Sequence, residues 1–251
     1  MTETATVPAA VPPAELADDG RYRERVSLVP GAAVWARTAP ASGAPQRVLP
    51  DGCMDLIWAD GELLVAGPDT ETHVTSGDGG ARYVGIRFSP GTGPAVLGVP
   101  AAELRDLRVP LTDLWPSAQA RPAGGLLEAA WETGAGLGAV LEAIARDRLA
   151  LTQPDPVMTG VAALLRKGSS AGAAARTAGL SERQLHRRCL AAFGYGPKTL
   201  GRILRMNRAV DLARSGIPFA AVAATAGYAD QAHLAREVRS LTGVPLGVLI
   251  R

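Results

Sequence analysis

Aromatic residues are scarce in this 251-residue chain, at 4%, and there are only two cysteines and three histidines. Cys53 and Cys189 stand far apart with no CxxC spacing, which excludes a zinc-finger pattern and a disulfide framework. No stretch reaches about 18 uninterrupted apolar residues, so no membrane span is expected. The opening MTETATVPAAVPPAELADDG lacks the basic start and apolar run of a secretory signal. The expected location is therefore the cytoplasm. GxSxG, HExxH, P-loop and dinucleotide fingerprints are all missing, so a non-enzyme with no catalytic residue and no cofactor is expected.

What is present is 47% hydrophobic and 20% charged residues, enough for a packed core. The Ala and Gly bias resembles that of high-GC bacterial proteins. Net charge is only +2, but it is unevenly spread. Residues 155–251 hold 14 Lys/Arg and 5 Asp/Glu, a balance of +9; residues 1–154 hold 12 and 19, a balance of −7. A basic half beside an acidic one suits a polyanion-binding domain joined to a domain that avoids the polyanion.

Residues 1–20 read as a flexible tail. Residues 21–116 carry short β-rich runs at Val26–Val29, Ala33–Arg37, Met54–Trp58, Leu63–Ala66 and Tyr83–Phe88. Pro-Gly, Asp-Gly and Gly-Gly signals separate them, as in a small sandwich or barrel. Residues 94–116 break into short helical or irregular pieces at Pro100, Pro110 and Pro116. Residues 117–153 read as a helical linker, with helix from 123 to 150 interrupted by a Gly-rich break around Gly134–Gly138. Its Leu126, Leu137, Leu141 and Ile144 are a candidate dimer face, or else pack within the chain. Pro154 and Pro156 mark a boundary. Residues 154–251 read as all helix, with Gly and Pro confined to the joints. The expected class is α+β, a β-barrel followed by an all-α domain.

Two segments of the basic half share one layout. In Ala171–Gly194, a small-residue helix ends at Gly179, and Ser181 caps a second helix. Leu185 and Cys189 face inward there, while Arg183, His186 and Arg187 face outward. In Phe219–Gly243, Gly227 makes the turn and a new helix starts near Asp230. Tyr228, Leu234 and Val238 face inward; Gln231, His233 and Arg236 face outward. Gly179 and Gly227 are 48 residues apart, an internal repeat. Between the two lies Pro197–Ser215, a helix with its own apolar face. With its neighbours it can hold two reading helices one DNA turn apart, roughly 34 Å.

Residues 160–251 resemble the DNA-binding domain of AraC/XylS-family transcription regulators. The resemblance is carried by Gly227-Tyr228, the run Asp230-Gln231-Ala232-His233-Leu234-Ala235-Arg236, and Gly243-Val244-Pro245. The first unit matches at Gly179-Leu180-Ser181, at Arg187 and at the Gly194–Pro197 joint. It departs from the family in its alanine-rich first helix and in Cys189, where an aromatic residue is usual. The resemblance implies groove contacts by Arg183, His186, Arg187, Gln231, His233 and Arg236. Lys198 and Arg202 are candidate phosphate contacts.

The segments QRVLPDGCMDLIW, RYVGIRFSPGTGPAVLG and VPAAELRDLRVPLTDLW resemble a sensor-like N-terminal domain found on some of these regulators. Its β-rich character is compatible with a cupin-like or jelly-roll barrel, and the resemblance implies sensing of a small-molecule effector, dimerisation, or both. Trp35, Cys53, Asp55, Trp58, Phe88 and Trp115 are candidate ligand contacts. His73 is the only histidine of this half, which argues against a cupin metal site. The partners expected are double-stranded DNA and an effector, with RNA polymerase and a homodimer as further candidates. A small-molecule-sequestering protein with secondary DNA binding is the alternative reading. A DNA-repair enzyme on the same helical unit lacks the cysteine cluster it needs.

Overall fold

Strict alternation in Met54–Ala59 puts Met54, Leu56 and Trp58 on one side, all buried, and leaves Asp55 and Ile57 on the other. The same phase runs through the neighbouring strands of the computed structural model, which describes residues 22–42, 45–75 and 80–250. The expected tail at 1–20 lies outside those residues. The strands are β1 (Arg23–Val26), β2 (Ala32–Thr38), β3 (Gln46–Val48), β4 (Met54–Ala59), β5 (Glu62–Ala66), β6 (His73–Thr75), β7 (Arg82–Phe88) and β8 (Arg108–Pro110). Six form one antiparallel sheet in the order β1-β2-β7-β4-β5-β8; β3 and β6 pair only with each other.

The expected closed barrel is therefore corrected to an open sheet with a two-stranded companion. The strands that would complete a second wall, β3 and β6, are three residues each. They pair with one another rather than with the free edges at β1 and β8.

Helices cover one face of the sheet. They are α1 (Gly93–Leu97), α2 (Ser117–Thr133) and α3 (Leu137–Leu151). Gly134 ends α2 in the left-handed conformation, φ 70°, at the Gly-rich break expected within 123–150. Leu137, Leu141 and Ile144 of α3 pack onto the sheet with Val34, Leu56, Ile86 and Phe88. Gly138 lets α3 come so close that a Cβ there would lie 2.7 Å from Val34 Cγ1. The proposed dimer face is thus largely internal, and of its four residues only Leu126 is exposed. Glu142, itself 2% exposed, ties α3 to β1. Its carboxylate accepts from both Arg25 Nη atoms, from Ser27 Oγ and from the Leu28 N–H. Burial works to raise the pKa of Glu142, but these hydrogen bonds prevail and hold it below the usual carboxylate range.

The second core is all-helical. It comprises α4 (Pro156–Arg166), α5 (Ala171–Thr177), α6 (Glu182–Phe193), α7 (Pro197–Arg214), α8 (Phe219–Ala226), α9 (Gln231–Thr242) and α10 (Leu246–Leu249). Pro197 opens α7 at a position whose N–H would have no helical partner. Eighteen residues give α7 a length of roughly 27 Å. It touches α4, α5, α6, α8 and α9, so one rod organises the whole cluster.

The two cores meet at specific points. Asn207 Nδ2 on α7 donates to the Pro50 carbonyl at 2.8 Å. A Cβ on Gly52 would lie 2.9 Å from Leu200 Cδ1 and 3.3 Å from Tyr195 Oη. Arg105 Nη1 donates to the Gly194 carbonyl, and the Thr72 N–H donates to the Leu241 carbonyl.

Candidate nucleic-acid interface

The two repeat units are built alike. Helix α6 starts at Ser181, whose hydroxyl accepts the Gln184 N–H while Gln184 Oε1 accepts the Ser181 N–H, a capping box. Helix α9 starts at Asp230, whose carboxylate accepts the His233 N–H at 2.6 Å. Both helices have 12 residues and end at a left-handed glycine, Gly194 and Gly243. The N-caps are 49 residues apart, and at that offset Leu185 matches Leu234, Cys189 matches Val238 and Arg187 matches Arg236. The inward members of these pairs are all buried.

The outward residues divide by role. Arg183, His186, Arg187, Lys198, Gln231 and Arg236 are exposed. Among the described residues, Arg183, Arg187, Lys198 and Arg236 enter no ion pair with a carboxylate. His186, Arg183 and Lys198 border a groove of about 470 Å³ beside the N-terminus of α7, together with Gly196, Pro197 and Thr199. His233 is half-buried. Its Nδ1 accepts the Ala229 N–H at 3.3 Å, and its ring stands edge-on to Tyr228 at 5.3 Å. His233 sits at the third helical position, where Gln184 sits in α6, and like Gln184 it reaches back to a backbone N–H before the helix. Arg202 is also engaged: its guanidinium makes a two-point contact with Glu237 of α9, at 2.9 and 3.2 Å. The Arg202 and Arg205 guanidiniums hold the Glu237 carboxyl below its ordinary range, against a smaller opposing effect of burial. At the matching position in α6, Arg188 pairs with Asp155, the N-cap of α4. Helices α6 and α9 are therefore each pinned to a neighbour by an ion pair one residue past the matched arginine.

The six candidate ligand residues lie in two places. Trp58, Phe88 and Trp115 are in the core beneath α1–α3, where Trp115 Nε1 donates to the Leu97 carbonyl and Arg148 stacks on its ring. Trp35, Cys53 and Asp55 lie on the opposite side of the sheet. Trp35 Nε1 donates to Asp55 Oδ1 at 2.6 Å, and its ring lies over Gly85, where a Cβ would fall 2.4 Å from it. Arg87, missed in the sequence, sits at the centre of this group, 3.2 Å from Asp55, 3.4 Å from Asp51 and 3.5 Å from Glu24. Burial pushes the Asp55 carboxyl up to about 6 in spite of Arg87, and the charge on Asp51 adds to the rise. Asp51 serves its turn by accepting the Cys53 N–H at 2.8 Å. Burial also raises the Cys53 thiol well above its ordinary value, so it stays protonated. Among the described residues no three His, Cys, Asp or Glu side chains gather as a metal site, and no helix is long and apolar enough to cross a membrane.

Residues 174–251 match the helix-turn-helix domain family, and residues 32–110 match a domain of unknown function, DUF6597. No curated protein matches the chain. Among solved structures, an apo lysine-to-alanine variant of ToxT from Vibrio cholerae aligns over 90% of this chain and 98% of its own, at 10% identity and a TM-score of 0.50, a likeness of fold alone. ToxT from the same organism with an unsaturated fatty acid bound aligns over 87% and 94%, at 9% identity and a TM-score of 0.43. An AraC-type DNA-binding domain-containing regulator from Chromobacterium violaceum aligns over 38% and 89%, at 22% identity and a TM-score of 0.36. The chain is thus similar to a helix-turn-helix domain over residues 174–251 and, ahead of it, to the DUF6597 domain over residues 32–110.

Proposed function

We propose that the chain is a sequence-specific DNA-binding transcription regulator of the AraC/XylS type, with its DNA-binding domain in residues 154–251. One observation carries this reading. Two capped helices of equal length, each with an exposed arginine at the same position, flank a single rod. Such a pair enters two successive major grooves from one side of the duplex. Arg183, Arg187 and Arg236 then read base edges, with His186 and Gln231 beside them; Lys198 meets phosphate. His233 and Arg202 serve the site by holding α9 in place, through Tyr228 and Glu237 respectively.

The N-terminal half (residues 21–116) is read as a small-molecule sensor. Its support is local: the turn that carries Asp51 and Cys53 also presents Gly52 to Tyr195 and Leu200 of the DNA-binding half. A ligand that rearranges Trp35, Asp55 and Arg87 acts directly on that turn.

Titration of genomic promoter fragments tests the first reading. Arg236→Ala or Arg187→Ala weakens the specific complex by about 1–3 kcal/mol. Affinity also falls steeply with added salt as counterions are released. Unchanged operator affinity in both variants, or a flat salt response, contradicts it.

A further inference from the structure

We propose that Arg37 is the anion-receiving group of a small-molecule site between the six-stranded sheet and the β3–β6 pair, and that its ligand is an organic monocarboxylate with a flat apolar body. This rests on the sensor reading above and names the chemistry that the sensor recognises.

Arg37 and Trp35 alternate onto the same side of β2, away from α1–α3. Arg37 faces Tyr83 in register across β2 and β7, and its guanidinium lies 5.0 Å from the centre of the Tyr83 ring. Its Nη1 donates to Gln46 Oε1 of β3 at 2.5 Å, so the group lies between the two sheets. Its Nε is buried and has no acceptor among the described residues.

Three other guanidiniums of this half each face a carboxylate: Arg25 with Glu142, Arg87 with Asp55, and Arg108 with Asp69. Arg37 has none among the described residues. Burial opposes its charge and lowers its pKa. A partly desolvated cation without a counter-charge is costly to keep in a folded chain. A ligand carboxylate supplies the missing charge and accepts two parallel N–H bonds from the guanidinium edge.

The surroundings set the rest of the ligand. Tyr83 lies beneath the guanidinium, and Trp35 follows two residues along β2, so an apolar body leaving Arg37 along the strand meets aromatic surface. Tyr22 stacks on Trp35 at 6.1 Å while remaining 49% exposed. It is the group such a body would replace. Beyond Trp35 lie Asp55 and Arg87, next to the turn that meets Tyr195. A single guanidinium matches a single carboxylate. A cationic ligand is disfavoured at Arg37 by like charge.

The test uses the full chain with phenylacetate as probe and phenylacetamide as its neutral counterpart, read by melting temperature and tryptophan fluorescence. Phenylacetate raises the melting temperature and changes the fluorescence saturably; phenylacetamide does neither. Arg37→Met loses the phenylacetate response yet is at least as stable as the parent without ligand, because it removes a partly buried cation that faces no carboxylate among the described residues. Four outcomes overturn the proposal: no response to phenylacetate, an equal response to the amide, a response that survives in Arg37→Met, or marked destabilisation of that variant. Promoter affinity measured on the same variant stands apart. If it is unchanged, failure here leaves the DNA-binding reading in place.

Discussion

The first helix-turn-helix unit is docked against the N-terminal half; the second stands almost clear of it. The end of α6 enters the junction: Phe193 is 1% exposed and lies 3.2 Å from a Cβ position on Gly91, and a Cβ on Gly194 would meet Pro68 at 2.6 Å. For α9 the counterpart among the described residues is a backbone hydrogen bond from the Thr72 N–H to the Leu241 carbonyl. Their polar faces differ in the same direction. At the shared offset, Arg183 and His186 of α6 correspond to Ala232 and Ala235 of α9, while Arg187 and Arg236 are conserved between the repeats. The unit with more outward-facing cations is the one packed against the N-terminal half. A duplicated motif can thus keep one fold while its two copies differ in what they touch.

The sharpest way to break this comparison is at Phe193. Phe193→Ala removes a fully buried ring from the helical core at its contact with the N-terminal half, at a cost of about 3–5 kcal/mol. The matching residue of α9 is Thr242, whose hydroxyl donates to the Val238 carbonyl at 2.8 Å, so Thr242→Ala costs only about 1 kcal/mol. Chemical denaturation of both variants decides the matter; equal losses would mean that the two helix ends are equivalent.

A smaller and opposite effect is expected at Tyr195. This side chain is 3% exposed, and its hydroxyl is buried at the junction without a hydrogen-bond partner among the described residues. Burial raises its pKa far above the ordinary phenol value, and the nearby Asp51 adds to the rise, so it stays neutral. Tyr195→Phe removes the orphaned hydroxyl and stabilises the chain by about 1 kcal/mol. Melting temperature checks it. A clear loss of stability would mean that the hydroxyl has a partner in solution and that the junction is tighter than the geometry indicates.

The pattern of residues made part of this comparison legible. The N-caps, the glycine turns and the inward faces of both units follow from local chemistry, and the outward positions of α6 and α9 follow from helical period. Strands β2, β4, β5 and β7 show in their alternation. Strands β3, β6 and β8 have three residues each, too few for a period to register. Arg37, Arg87 and Glu142 were invisible for another reason. A charged residue in a strand or helix reads as solvent-facing until the register shows what lies opposite, and their partners are up to 117 residues away. The division of the tryptophans has the same origin. Phase separates Trp35 from Trp58, but only the packing of α3 decides which side of the sheet is covered. Closure of a barrel was equally beyond local pattern, since it depends on which edges pair.

Hydroxyl-radical footprinting of the full chain on its operator tests the central claim most directly. Two protected patches on one side of the duplex, one helical turn apart, are expected, and Arg236→Ala should erase one while sparing the other. A single patch, or two that fall on opposite sides of the helix, would contradict the paired-reader geometry.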